Sequence, residues 1–166
     1  MKLASFDEIV RTLEESGVRY LVAGGLAVNA HGYLRFTRDV DLVLQLAPLN
    51  IISAFEAFER IGYRPIVPVT GAQFADPERR GEWIRDKGMT VLNFWSERHR
   101  ETPIDVFVAE PFDFGQEYER ALVKSLGTVA VRFVSIPALI RMKEIAGRTQ
   151  DRIDIEYLRK IADAPK

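Results

Sequence analysis

Cysteine is absent from the 166-residue chain, which excludes disulfide staples and cysteine zinc sites. Histidine occurs only twice, as His31 and His99, so a histidine-rich zinc site has too few ligands, and any metal here should be held by oxygen. Neither sign of charge dominates: 23 Lys and Arg against 24 Asp and Glu give a formal net charge of −1. No overall field therefore points to DNA, RNA or an anionic membrane, although a local basic patch stays open. No apolar run reaches the roughly 20 residues of a membrane span, and the first residues, MKLASFDEIVRTLEESG, carry acids where a signal peptide would be apolar. Internal repeats, low-complexity tracts and linkers are missing too. What is present, 47% hydrophobic and 28% charged residues, is a globular composition that fits one domain with a sizeable core. The expectation is a single cytoplasmic domain over residues 1–166.

Local signals divide the chain into alternating elements. Ser5 followed by Glu8 spells a capping box, with Ala4 and Ile9 as a staple, predicting a helix from about residue 6 to Ser16 that stops at Gly17. VRYLVAG reads as a short apolar strand, ended by Gly24-Gly25 before the helix-like LAVNAHG, where Gly32 is a natural stop. DVDLVLQL is a second strand, and Pro48 opens an amphipathic helix carrying Ile51, Ile52, Phe55, Phe58 and Glu59 up to Gly62. YRPIV suggests a further strand. Residues 68–88 are polar and punctuated by Gly and Pro, predicting loop plus one short charged helix near Asp76. MTVLNFW and PIDVFVA, joined by SERHRET, predict a hairpin. A helix over residues 114–121, a strand at VAVRFVSI and two C-terminal helices broken at Gly147 complete the pattern. Mixed strands and helices with a hairpin indicate an α+β (mixed α/β) domain rather than a regular doubly wound one.

The chemistry lies in charges placed where strands ordinarily exclude them. Residues i and i+2 of a strand share a face about 6.5 to 7 Å apart. Asp39 and Asp41 therefore point one way while Val40, Leu42 and Leu44 point into the core. Asp105 repeats the arrangement in PIDVFVA, and if the two strands are neighbours three carboxylates converge. Such acids repel and shift one another's pKa unless a cation neutralises them, and magnesium, a hard ion that prefers carboxylates and phosphates, is the obvious one. Two such ions about 3.5 to 4 Å apart would stabilise both the attacking and the leaving oxygen of an in-line displacement. Taken alone, the D-x-D equally suits aspartates that pair with Arg35 or Arg38 beside a solvent-facing Asp105. Gly24-Gly25, at a strand end and a helix start, permits close backbone approach and presents free N–H groups to an anion, or simply makes a tight turn. The ordered set of glycine pair, helix, D-x-D and later strand aspartate is more specific than any member.

That set resembles a known family. AGG, thirteen intervening residues, DVDL and then IDVF is similar to the signature of the nucleotidyltransferase superfamily related to DNA polymerase beta. AGGLAVNAHGYLRFTRDVDLVL together with LIRMKEIAGRTQDRIDIEYL looks like its small bacterial branch of minimal nucleotidyltransferases and AbiEii-like abortive-infection toxins. The resemblance implies a small mixed sheet flanked by helices, with a core over about residues 18–110 and a C-terminal helical part over about 136–163. It implies transfer of a nucleoside monophosphate from an NTP to a hydroxyl of a small molecule, RNA or protein, with two magnesium ions held by Asp39, Asp41 and Asp105. Asp105 would also help deprotonate the acceptor, and Gly24 and Gly25 would approach the β and γ phosphates. Gly25 stands where many members carry Ser, so the backbone would serve alone. The alternative is a non-catalytic member that binds nucleotide or a partner, such as a cognate antitoxin or a second copy of the chain. A sugar transferase using D-x-D is a third reading, opposed by the short chain and the upstream glycines.

Several further residues admit two roles. Arg35, Thr37 and Arg38 could clamp a triphosphate, or the arginines could pair with the aspartates. At about 100° per residue, Lys143 falls in the apolar stripe of Ile136, Leu139 and Ile140, and Asp151 and Asp154 fall on the face of Ile155 and Leu158. Lys143 either reaches the triphosphate or joins a network of Lys143 or Arg148 with the two aspartates. His31 suits a helix C-terminus or a nucleotide contact. Trp83, Phe94 and Trp95 are core or base-stacking residues. Arg98, His99 and Arg100 are a solvated hairpin tip or an RNA contact.

Overall fold

The structure is a computed structural model and describes residues 1–165. Among them the chain forms helices α1 (Leu3–Glu15), α2 (Gly24–His31), α3 (Pro48–Arg60), α4 (Gly71–Ala75), α5 (Pro77–Lys87), α6 (Phe114–Arg120), α7 (Ile136–Ala146) and α8 (Thr149–Asp163). The strands are β1 (Tyr20–Val22), β2 (Val40–Leu44), β3 (Arg64–Pro65), β4 (Val91–Trp95), β5 (Ile104–Phe107), β6 (Leu122–Leu126) and β7 (Val129–Phe133). They make one mixed sheet in the order β3-β4-β5-β2-β1-β7-β6, so the α+β expectation holds. Among the described residues no helix is long and apolar enough to cross a membrane.

Two pairings place the chemistry. β2 lies parallel to β5 with Val40 opposite Ile104, Asp41 opposite Asp105 and Leu42 opposite Val106. β4 and β5 form the expected antiparallel pair, with Asn93 opposite Asp105 and Phe94 opposite Ile104. Because opposed residues share a face, Val40, Leu42, Phe94, Ile104 and Val106 make one buried face. α3 packs there, with the Phe58 and Phe94 rings 4.9 Å apart. Asp41, Asp105 and Asn93 make the other face. Leu21 and Val43, also opposed on that second face, are buried, whereas Asn93 and Trp95 at its far side are exposed. The second face is thus covered over β1 and β2 and bare over β4.

Four local expectations need correction. α1 begins at Leu3 with no side-chain cap, because the Lys2 N–H is satisfied by Thr102 Oγ1 at 2.9 Å from the distant hairpin loop. Ser5 is therefore inside the helix, where its hydroxyl meets His99 Nδ1 at 2.9 Å. Residues 68–88 hold two helices, the first started by a capping box of Thr70 and Gln73 and the second by Asp76 and Pro77. β3 is only two residues long. The unexpected β6 pairs antiparallel with β7 along all five of its residues, turning at Gly127, whose φ is +59°.

Candidate active site

Asp39 lies in a bend immediately before β2, and Asp41 is the second residue of the strand. Asp105 occupies the matching register on β5, about 4.8 Å away across the sheet. Their proximity bears on their protonation. Burial, then the charges of Asp105 and Asp39, push the Asp41 carboxyl up to about 6. Asp105 is raised by burial and by Asp39, against an opposing hydrogen bond from Asn93, whose Nδ2 donates to Asp105 Oδ1 at 2.6 Å. Asn93 was no sequence candidate; only its register opposite Asp105 marks it.

The glycine pair fits closely against these acids. Gly24 has φ +59°, and a Cβ built on it would lie 1.8 Å from Asp41 Oδ2. The Asp41 carboxylate thus occupies the space that any side chain at residue 24 would take, beside the first turn of α2. A Cβ on Gly25 would lie 2.5 Å from Thr37 Oγ1 and 3.1 Å from Arg35 Nη1. That crowding explains why glycine rather than serine stands here: the Thr37 hydroxyl already fills the place. α2 ends at Gly32, with φ +116°, and His31 Nε2 is 2.8 Å from the Val134 carbonyl, which ties α2 to the strand end after β7.

The remaining candidates separate into bound and open. Arg35 gives two hydrogen bonds to Asp154, from Nε at 2.8 Å and Nη2 at 2.7 Å. Lys143 is buried, with Nζ 2.6 Å from Asp154 and 3.1 Å from Asp151, and Arg148 Nε reaches Asp151 at 2.8 Å. Burial alone would raise Asp151 and Asp154. The bonds from Arg148 and Lys143 to the first, and from Arg35 and Lys143 to the second, outweigh it and hold both carboxyls below the ordinary value. Thr37 is half-buried, its hydroxyl 3.5 Å from the Asp39 carbonyl, while Arg38 is exposed. Phe94 is core and Trp83 packs toward Phe74, leaving Trp95 as the exposed aromatic of β4. The hairpin loop is anchored rather than free: His99 is buried and stacked on Tyr63, Arg98 pairs with Glu8, and Arg100 pairs with Glu97.

No family model matches the sequence, and no curated protein matches it. Solved structures do. A lincosamide antibiotic adenylyltransferase, LnuA, described with lincomycin bound, shares 16% identity over 97% of this chain and 98% of its own, at a TM-score of 0.65. ANT(2″)-Ia in complex with adenylyl-2″-tobramycin shares 13% identity over 96% of this chain and 91% of its own, at 0.59. A solution structure of ANT(2″)-Ia gives 15% identity, coverage of 92% and 80%, and again 0.59. The chain has the nucleotidyltransferase fold. In that fold the described residues bring together Asp39, Asp41, Asp105 and the Gly24-Gly25 turn.

The acids suit a hard cation, since two neighbouring carboxylates of raised pKa repel each other and carry only oxygen donors. As the side chains stand, no group of three or more His, Asp or Glu among the described residues is gathered closely enough to ligate one metal. Two observations account for this: Asp41 Oδ2 rests against Gly24, and Asp105 Oδ1 is held by Asn93. Each carboxylate keeps one further oxygen for a cation.

Proposed function

We propose that this protein is a magnesium-dependent nucleotidyltransferase that moves a nucleoside monophosphate from an NTP to the hydroxyl of a small molecule. The observation that carries the reading is the register of Asp41 against Asp105 beside the close approach of Gly24 to the Asp41 carboxylate. The antibiotic adenylyl transfer named for structures of the same fold supports a small-molecule acceptor. Asp39, Asp41 and Asp105 would hold magnesium, which neutralises the triphosphate and polarises the α-phosphorus when bound. Gly24 and Gly25 would offer backbone N–H groups to phosphate oxygens at the start of α2, and Thr37 and Arg35 border Gly25. The acceptor oxygen forms a bond to the α-phosphorus as the bond to the bridging α–β oxygen breaks. Pyrophosphate leaves with that electron pair, and the acceptor's proton passes to Asp105 through the oxygen that Asn93 does not hold. Catalysis rests on positioning and charge neutralisation.

A second reading, a nucleotide-binding member without turnover, is favoured by one feature, the absence of a gathered three-carboxylate group among the described residues. Incubation with each labelled NTP, magnesium and a panel of hydroxylated small molecules, RNA and protein separates the two. Transfer with pyrophosphate release that disappears in Asp39→Asn with Asp41→Asn is expected. Nucleotide binding without any transfer would establish the second reading instead.

A further inference from the structure

The charges gathered around Asp151 and Asp154 do not balance. Arg35, Lys143 and Arg148 contact Asp151 and Asp154, three cations against two anions, so one positive charge is left over. Its location follows from exposure. The Lys143 side chain is 5% exposed between both aspartates, and Arg35 is 19% exposed with two bonds to Asp154. Arg148 is 76% exposed, so the surplus charge surfaces there.

Arg148 is nevertheless held in place. Nε and Nη2 donate to Asp151 at 2.8 and 3.3 Å, and the backbone N–H donates to the same carboxylate at 3.1 Å. Nη1 makes no hydrogen bond among the described residues. A guanidinium fixed along one edge with the other edge open is preorganised for an oxyanion, and loses little rotamer freedom on binding it. The ion-pair chain that fixes it continues through Lys143 and Asp154 to Arg35. Arg35 Nη1 borders Gly25, next to the Gly24 against which Asp41 rests.

We infer that Arg148, with Lys143 as its buried anchor, is the cation that this chain presents to the β and γ phosphates of a nucleoside triphosphate held beside Asp41 and Asp105. The inference rests on the nucleotidyl-transfer reading above and names a residue for it. Arg148→Gln removes the open donor and leaves Asp151 paired with Lys143, so the fold is retained at some cost in stability, as a single cooperative melting transition well above the assay temperature would verify. Binding is read by competition of ATP and of AMP, each with magnesium, against a fluorescent ATP analogue. The loss of one charged hydrogen bond predicts ATP weakened roughly 10- to 100-fold with AMP changed by less than about twofold, since AMP lacks the β and γ phosphates. ATP affinity equal to that of the native chain, or an equal loss for ATP and AMP, overturns the role of Arg148 while leaving the transferase reading standing. A native chain that binds neither nucleotide overturns both.

Discussion

On the function proposed above, Asp41 sets function against stability at a single carboxylate. Its pKa is pushed up to about 6 from an unfolded value of 3.8, by burial and by Asp105 and Asp39. Between these two values the unfolded chain releases the proton first, so native stability falls as pH rises through the window. Asp41→Asn removes that cost. In metal-free denaturation at pH 7 the variant should be more stable by on the order of 3 kcal/mol, with the gain vanishing near pH 4, while transfer activity falls by at least about 100-fold. An unchanged or lower stability at pH 7 would show that the acids do not repel in the folded chain. Gly24 makes the complementary test. An alanine in its place would adopt a left-handed φ and push its Cβ into Asp41 Oδ2, whereas Gly17, with φ +65°, has nothing within 4 Å of its Cβ position. Both Gly→Ala changes should cost about 1 to 2 kcal/mol of backbone strain. Only Gly24→Ala should also displace Asp41 and abolish transfer, measured by pyrophosphate release beside thermal denaturation.

At the scale of elements, the helical layer is held to the segment between α2 and β2 by charge rather than by apolar packing alone. Arg35 belongs to the segment between α2 and β2, yet its guanidinium is tied to Asp154 of α8, which shares Lys143 of α7. Lys143→Met leaves Asp151 with Arg148 and Asp154 with Arg35 and Gln150, without the buried cation that both share, and a loss of about 3 to 5 kcal/mol is expected in urea denaturation. The same pairs set an acid limit. Asp151 and Asp154 titrate below their unfolded value, so their contribution is present above it and disappears as pH falls through the lowered folded values. This network was half legible in the sequence, because a lysine in an apolar stripe and two aspartates on a buried face demand partners. Arg35 as the third partner was not, since Arg35 and Asp154 are 119 positions apart. Period-two alternation likewise put Asp39 and Asp41 on one face, and added Asp105 only on the condition that the two strands are neighbours, which the β2–β5 pairing meets; it was silent on Asn93, which is defined only by strand register. The start of α1 was misplaced for the same reason: Thr102, 100 residues away, supplies the partner for the Lys2 N–H that a local cap would otherwise have provided.

Taken whole, the molecule has one sheet face of two characters. It is covered over β1 and β2, with α2 packed against β2 where the acids and the glycine turn meet, while β4 leaves Asn93 and Trp95 open, Trp95 being 42% exposed. On the function proposed above, the phosphates would lie on the helix side, where the cations stand, and the acceptor on the bare strands. A ligand that bridges the junction must stabilise the native chain by mass action, since the unfolded chain brings neither side together. Magnesium with ATP at about 100 times its dissociation constant should add about 2.7 kcal/mol, a rise in melting temperature of roughly 5 to 10 °C for a domain of this size. Magnesium with AMP should give less at equal concentration. Asp39→Asn with Asp41→Asn should melt higher than the native chain without ligand, because the repelling charges are gone, and should gain little from magnesium and ATP. That crossing of the two melting curves is specific to a site whose acids destabilise the empty fold and are relieved by what they bind. If magnesium and ATP raise the melting temperature of the double variant as much as that of the native chain, the nucleotide is not held at these carboxylates.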